Sequence, residues 1–115
     1  MAMTYVPGAL RANLKSMDLP SNNGYMTDFL GSDNSTQPLT CGFFRMERGA
    51  PLTYKYDFDE MKLVVEGEIT IADESGNSHN AVPGDIFYFS KGSEITFSTS
   101  SCATLFYCAQ RTILS

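Results

Sequence analysis

The sequence predicts an all-β fold, a sandwich or barrel of short strands. From Tyr25 onward, runs rich in β-branched and aromatic residues alternate with Gly-, Pro- and Asn-containing turns at roughly regular spacing. "LTYKYDF" alternates strictly, with Leu52, Tyr54, Tyr56 and Phe58 on one face and Thr53, Lys55 and Asp57 on the other. No helical pattern follows the N-terminal arm.

Taken in order, residues 1–24 form that arm and 25–115 a single domain. The arm carries one weakly helical piece, "GALRANLKSM", and ends in the breaker-rich "DLPSNNG". "GYMTDFLGS" reads as a strand, and "GSDNSTQP" as the loop after it. "LTCGFFRMERG" is rich in β-formers and closes on Gly-Ala-Pro. "LTYKYDF" is the clearest half-buried strand. "MKLVVEGEITIAD" supplies two strand segments jointed at Gly67. "DESGNS" is a hairpin turn, with Ser75-Gly76 or Gly76-Asn77 taking the positive φ angles. "VPGDIFYFSKGS" is a turn, an aromatic strand and a second turn. "EITFSTS" and "ATLFYCAQRT" complete at least seven strands.

Composition bounds the function. A chain of 115 residues, 43% hydrophobic and 18% charged, is long enough for one core without staples. Its net charge of −5 argues against nucleic acid and anionic membrane surfaces as partners. No apolar run reaches the length of a membrane span, and "MAMTYVPGALRANLKSM" lacks the apolar segment of a signal peptide, so a cytoplasmic setting is expected. Cys41, Cys102 and Cys108 form no C-x-x-C pair and read as buried thiols in strands. His79 is the sole histidine, so a zinc site of nitrogen and sulfur ligands has almost no material. "GSDNST" lacks the lysine and the strand–helix setting of a phosphate-cradling loop.

Two spaced motifs carry a resemblance. The first cupin motif runs G-x5-H-x-H-x3-E-x6-G. Counting back from Gly67 leads to Glu60, Tyr56 and Tyr54, with Gly49 within one residue of the leading glycine. The second runs G-x5-P-x-G-x2-H, and here Gly84 and Gly92 match while Ile95 takes the histidine position. Over roughly residues 39–110 the chain therefore resembles the cupins. "YDFDEMKLVVEGEITIADESG" and "PGDIFYFSKGSEITF" resemble in particular the metal-poor, ethanolamine-utilisation (EutQ-like) group. The resemblance implies a cupin-type β-barrel, a double-stranded β-helix or jelly roll with a short N-terminal arm. It also implies a homodimer, and a bacterial member of the group is linked to acetate-kinase activity and microcompartments.

Three of the four cupin ligand positions depart from the pattern. Two tyrosines and an isoleucine leave only Glu60, a poor donor set for a divalent ion, so no metal and no cofactor are expected. By the cupin correspondence Tyr54, Tyr56 and Glu60 point into the barrel, and Lys62 joins them if the even parity persists. Leu52, Phe87, Phe89 and Phe97 would wall the cavity. A buried carboxylate needs a partner, and tyrosine hydroxyls or Lys62 can supply one. Glu60 held between an apolar wall, which raises a carboxyl pKa, and such donors, which lower it, suits a general base or acid. Tyr54, Tyr56, Glu60 and Lys62 are thus the candidate catalytic set. Tyr88, Ile95, Phe97, Tyr107 and Arg45 are the candidate substrate contacts.

The expected activity is metal-independent proton transfer of lyase, isomerase or cyclase type on a small-molecule substrate. The alternative is a non-catalytic binding or assembly cupin of the ethanolamine-utilisation type. The bland reading of the same residues is a satisfied polar network that plugs a barrel. His79 and Lys91 read as solvated edge and turn residues, and Arg45 and Arg48 as solvated partners of Glu47, with an inward Arg45 clamping a substrate carboxylate as the minority reading.

Overall fold

A computed structural model describes residues 2–114 as two antiparallel sheets packed face to face in a jelly-roll sandwich. The nine strands are β1 (Gly24–Gly31), β2 (Thr40–Glu47), β3 (Leu52–Lys55), β4 (Glu60–Gly67), β5 (Ile69–Asp73), β6 (Ser78–Ala81), β7 (Ile86–Phe89), β8 (Glu94–Ser98) and β9 (Cys102–Ala109). One sheet runs β1-β2-β9-β4-β7 and the other β3-β8-β5-β6. The two sheets do not close into a continuous barrel, so the fold is the sandwich form of the architecture the sequence predicts.

Strand periodicity places the core. On β2 the even positions Phe44 and Met46 point inward, on β4 Glu60, Lys62 and Val64, and on β9 the odd positions Ala103, Leu105, Tyr107 and Ala109. Ile69, Ile71, Ile95 and Phe97 answer from the second sheet. Each large apolar side chain removed from water contributes about 1.5–3 kcal/mol. Edge-to-face contacts join Phe44 to Phe97 at 5.4 Å and Phe89 to Phe97 at 5.9 Å, tying the layers together.

Two glycines are required by geometry. Gly67 takes φ +76 at the joint between β4 and β5, where a side chain would also meet the Cys102 carbonyl. Gly42 has no such φ, but a Cβ there would collide with the Thr27 carbonyl and the Tyr107 hydroxyl. Its missing side chain lets Tyr107 reach across to β1.

Several local expectations are corrected. The weakly helical piece reduces to a 3-10 turn over Ala9–Arg11 without a side-chain cap. Instead the arm pairs with β1: the Met17 amide donates to the Gly24 carbonyl and the Met26 amide to the Lys15 carbonyl. That pairing covers the outer edge of the five-stranded sheet. "LTYKYDF" keeps its alternating burial through Tyr56 and Phe58, yet the strand itself ends at Lys55. There the chain bends away, and the Tyr56 amide and carbonyl bond Ser93 and Gly92 in the β7–β8 turn. "SHNA" forms β6 although three of its four side chains are exposed. Of the cysteines, Cys102 is exposed and the facing pair Cys41 and Cys108 only half-buried, so none is a fully buried thiol. No helix among the described residues is long and apolar enough to cross a membrane.

Candidate functional site

The inward faces of β2, β3, β4 and β8 surround one open cavity of about 440 Å³, within the range of small-molecule sites. Phe44, Leu52, Phe58 and Phe97 form its apolar walls, with Met17 from the arm and Met26 from β1. Tyr54, Tyr56, Glu60 and Lys62 all line it. The structure therefore brings the four candidate catalytic side chains together, because β4 presents Glu60 and Lys62 on one face two residues apart.

Glu60 and Lys62 are each only 4% exposed. The Lys62 ammonium lies 3.1 Å from Glu60 Oε2, and the Tyr56 hydroxyl donates to the same oxygen at 2.5 Å. Burial raises the Tyr56 phenol far above its ordinary value, and the neighbouring Glu60 charge and hydrogen bond raise it further. Tyr56 is thus a fixed proton donor to the carboxylate. Burial pulls the Lys62 ammonium below the usual lysine range, against the opposing pull of Glu60. Three aromatic rings face its Nζ, Tyr107 at 4.7 Å, Phe44 at 5.0 Å and Phe97 at 5.8 Å. Tyr54, 38% exposed, stands edge-on to Tyr56 at 4.7 Å and reaches from the mouth of the cavity to this floor.

The other predicted contacts scatter. Phe97 lines the cavity. Ile95 is buried from the same strand but lines a second cleft, with Ile71, Phe87 and Phe89. Tyr107 is buried beneath Lys62 and sends its hydroxyl to Asp28, so it supports the floor and does not line the cavity. Strand parity turns Tyr88 and Arg45 away. Tyr88 is 58% exposed and bonds Asp59, while Arg45 bonds Thr104 on the outer face.

Two residues that sequence reasoning passed over complete the site. Asp28, on β1, has a fully buried side chain, and Arg111, just after β9, is 13% exposed and lines the cavity mouth. Arg111 donates to both carboxylate oxygens, Nη1 at 2.6 Å and Nη2 at 2.9 Å. Asp28 also accepts from the Tyr107 hydroxyl and from the Leu114 amide. Burial alone would raise this carboxyl; the hydrogen bonds from Arg111, Tyr107 and Leu114 and the Arg111 charge outweigh it and hold it below the usual value. One carboxylate thereby fixes the C-terminal segment that forms a wall of the cavity. Lone Asp and Arg residues 83 positions apart carry no spacing signal, so only the fold reveals the pair.

The donor set does not fit a cupin metal. Tyr56 donates its proton to Glu60, Lys62 supplies the countercharge within 3.1 Å, and Ile95 stands outside the cavity. The position a cation would occupy beside the carboxylate is taken by an ammonium. Among the described residues no three His, Cys, Asp or Glu side chains gather as metal donors.

Comparison with known proteins agrees with this architecture. The family model "Ethanolamine utilisation protein EutQ" matches residues 10–112. Acetate kinase EutQ of Escherichia coli K12 is 32% identical over 84 residues, covering 73% of this chain but 35% of that protein. The chain thus spans about a third of that relative's length. The EutQ protein of Clostridium difficile superposes with a TM-score of 0.70 at 25% identity, covering 86% of this chain and 80% of that one. The ethanolamine utilization protein Q of Salmonella typhimurium LT2 gives 0.66 at 27% identity, covering 77% and 70%. The cupin domain of Schizosaccharomyces pombe Cnp3 gives 0.70 at 12% identity, covering 89% and 66%, a likeness of fold alone. With most of its length matched by the family model, the chain belongs to the EutQ family of cupins.

Proposed function

We propose that this chain is a small metal-independent cupin enzyme that moves a proton on a small-molecule metabolite, in a lyase, isomerase or cyclase reaction. The division of labour within the Glu60 carboxylate supports this most. Oε2 takes both Tyr56 and Lys62, whereas no hydrogen bond to Oε1 is found among the described residues. A plug would satisfy both oxygens. Here one oxygen is anchored and the residue lines an open cavity, an arrangement that suits a general base. Incubating small metabolites with the protein and following them by NMR tests the reading. Conversion or solvent-deuterium incorporation by the wild type, absent in Glu60→Gln, is expected; no conversion and no exchange across a broad panel would count against it.

Family membership favours a second reading, a non-catalytic binding or assembly cupin of the ethanolamine-utilisation type. Its distinguishing result is saturable ligand binding in the same cavity with no chemical change. Acetate-kinase activity belongs to the name of a relative of which this chain spans 35%, and no phosphate-cradling loop supports it here. A cytosolic setting is part of the proposal, supported by three free thiols.

Two further outcomes follow from the chemistry of the fold. Elemental analysis of purified protein should find far less than one equivalent of any transition metal, because Lys62 already neutralises Glu60. Stoichiometric zinc, iron or nickel surviving mild chelation would contradict this. A homodimer is also expected. The outer face of the five-stranded sheet carries Met61 and Ile86, 62% and 77% exposed, beside a ladder of Phe29, Phe43 and Phe106. Light scattering at micromolar concentration should give twice the 12.7 kDa monomer mass, and a monomer mass refutes it.

A further inference from the structure

We propose that Lys62 is a covalent nucleophile that forms a Schiff base with a small aldehyde or ketone bearing an α-hydrogen. The inference deepens the acid–base reading and rests on the same cavity. Lys62 is the one buried lysine; Lys15, Lys55 and Lys91 are exposed. It lines an open cavity large enough for a metabolite, with a carboxylate 3.1 Å from its Nζ and a phenol bonded to that carboxylate. A lysine serving only as a countercharge gains nothing from facing a cavity, and a buried ion pair is a weak source of stability. Nucleophilic lysines are instead found in apolar pockets that favour the free amine. The direction of the Lys62 shift agrees with such a role.

The neighbouring groups balance each step. The Lys62 ammonium gives a proton to Glu60, and the free amine attacks the carbonyl carbon to form a C–N bond. The carbonyl oxygen takes that proton from Glu60, then a second one that Glu60 collects from the newly bonded nitrogen, and leaves as water when its C–O bond breaks. The nitrogen keeps one proton and a positive charge as an iminium, and Glu60 is again a carboxylate. Phe44, Phe97 and Tyr107 face this nitrogen, so the cation exchanges one charged form for another within the same aromatic cage. Glu60 Oε1 can then take the α-proton to give an enamine. Reprotonation at carbon and addition of water return the amine. No oxidant or reductant is required.

The test uses the wild-type full chain, so it does not depend on any variant folding. The protein is incubated at neutral pH with acetaldehyde or pyruvate and cyanoborohydride, then digested and mapped by mass spectrometry. The expected result is alkylation of Lys62 about tenfold or more faster than of Lys15, Lys55 and Lys91. Glu60→Gln should slow the labelling of Lys62 and leave that of the exposed lysines unchanged. Lys62 labelled no faster than the exposed lysines with both probes overturns the proposal. If labelling fails in that way while Glu60→Gln still abolishes metabolite conversion, the covalent step is wrong and the acid–base reading stands. If both fail, the site reading itself falls.

Discussion

Asp28→Ala is expected to lower the unfolding free energy by about 3–5 kcal/mol, the usual consequence of removing one partner from a buried ion pair. The substitution strands three donors at once: the Arg111 guanidinium, the Tyr107 hydroxyl and the Leu114 amide. In a domain of this size the melting temperature should drop by roughly 10 °C or more. The loss should also reach the cavity, because the segment after β9 would no longer be clasped against β1. Asp28→Asn keeps the shape but not the charge and should fall between wild type and Asp28→Ala. The carboxyl is held below its unfolded value in the folded protein, so its contribution is full above that unfolded value and disappears as the pH falls through the folded one. Acid unfolding of Asp28→Asn should therefore lack part of the wild-type pH dependence below about pH 4. Denaturant titrations across pH that superpose for the two proteins would show that the clasp contributes nothing.

Glu60→Gln should reduce turnover by about 10² to 10⁴, the range lost when a general base is removed. Glutamine keeps the volume and can still accept the Tyr56 proton, so no cavity forms and the fold should hold. Its amide cannot take a proton at the position of Oε1, nor balance the Lys62 charge 3.1 Å away. Lys62→Met would separate Lys62's roles. It should abolish turnover if the amine is the covalent nucleophile, move the pH–rate profile if the ammonium only tunes Glu60, and chiefly alter stability if the pair only fills the floor. A Glu60→Gln protein with wild-type kcat and a lowered melting temperature would identify the cluster as structural.

The sequence revealed the floor of the site but not its clasp, for physical reasons. Tyr54, Tyr56, Glu60 and Lys62 lie within nine residues. Parity sets Glu60 and Lys62 on one face of β4, and the bend after β3 brings Tyr54 and Tyr56 to the same cavity from the other sheet. Most strands were legible for the same reason, since β2, β4, β8 and β9 alternate between core and surface. β6 was missed because "SHNA" sits at the sheet edge with little to bury. The weak helical pattern of the arm lost to backbone pairing with β1, a tertiary contact that propensity does not register. Arg45 and Tyr88 were placed on the cavity side without a register. Pairing of Arg45 with Thr104 and of Tyr88 with Met61 sets both on the outer faces of their strands. Asp28 and Arg111 meet only because the ends of the chain are brought together, Thr40 facing Ala109 on adjacent strands.

The central claim is that Tyr56, Glu60 and Lys62 form a working site and not a plug. Turnover and melting temperature measured together on Tyr56→Phe test it most directly. This change removes one hydroxyl, the donor that fixes Glu60 Oε2, and leaves side-chain packing nearly intact. The account predicts a loss of turnover comparable in scale to that of Glu60→Gln, with the melting temperature little changed. Unchanged turnover with a clearly lowered melting temperature, the mark of a buried acceptor left without its donor, would contradict it.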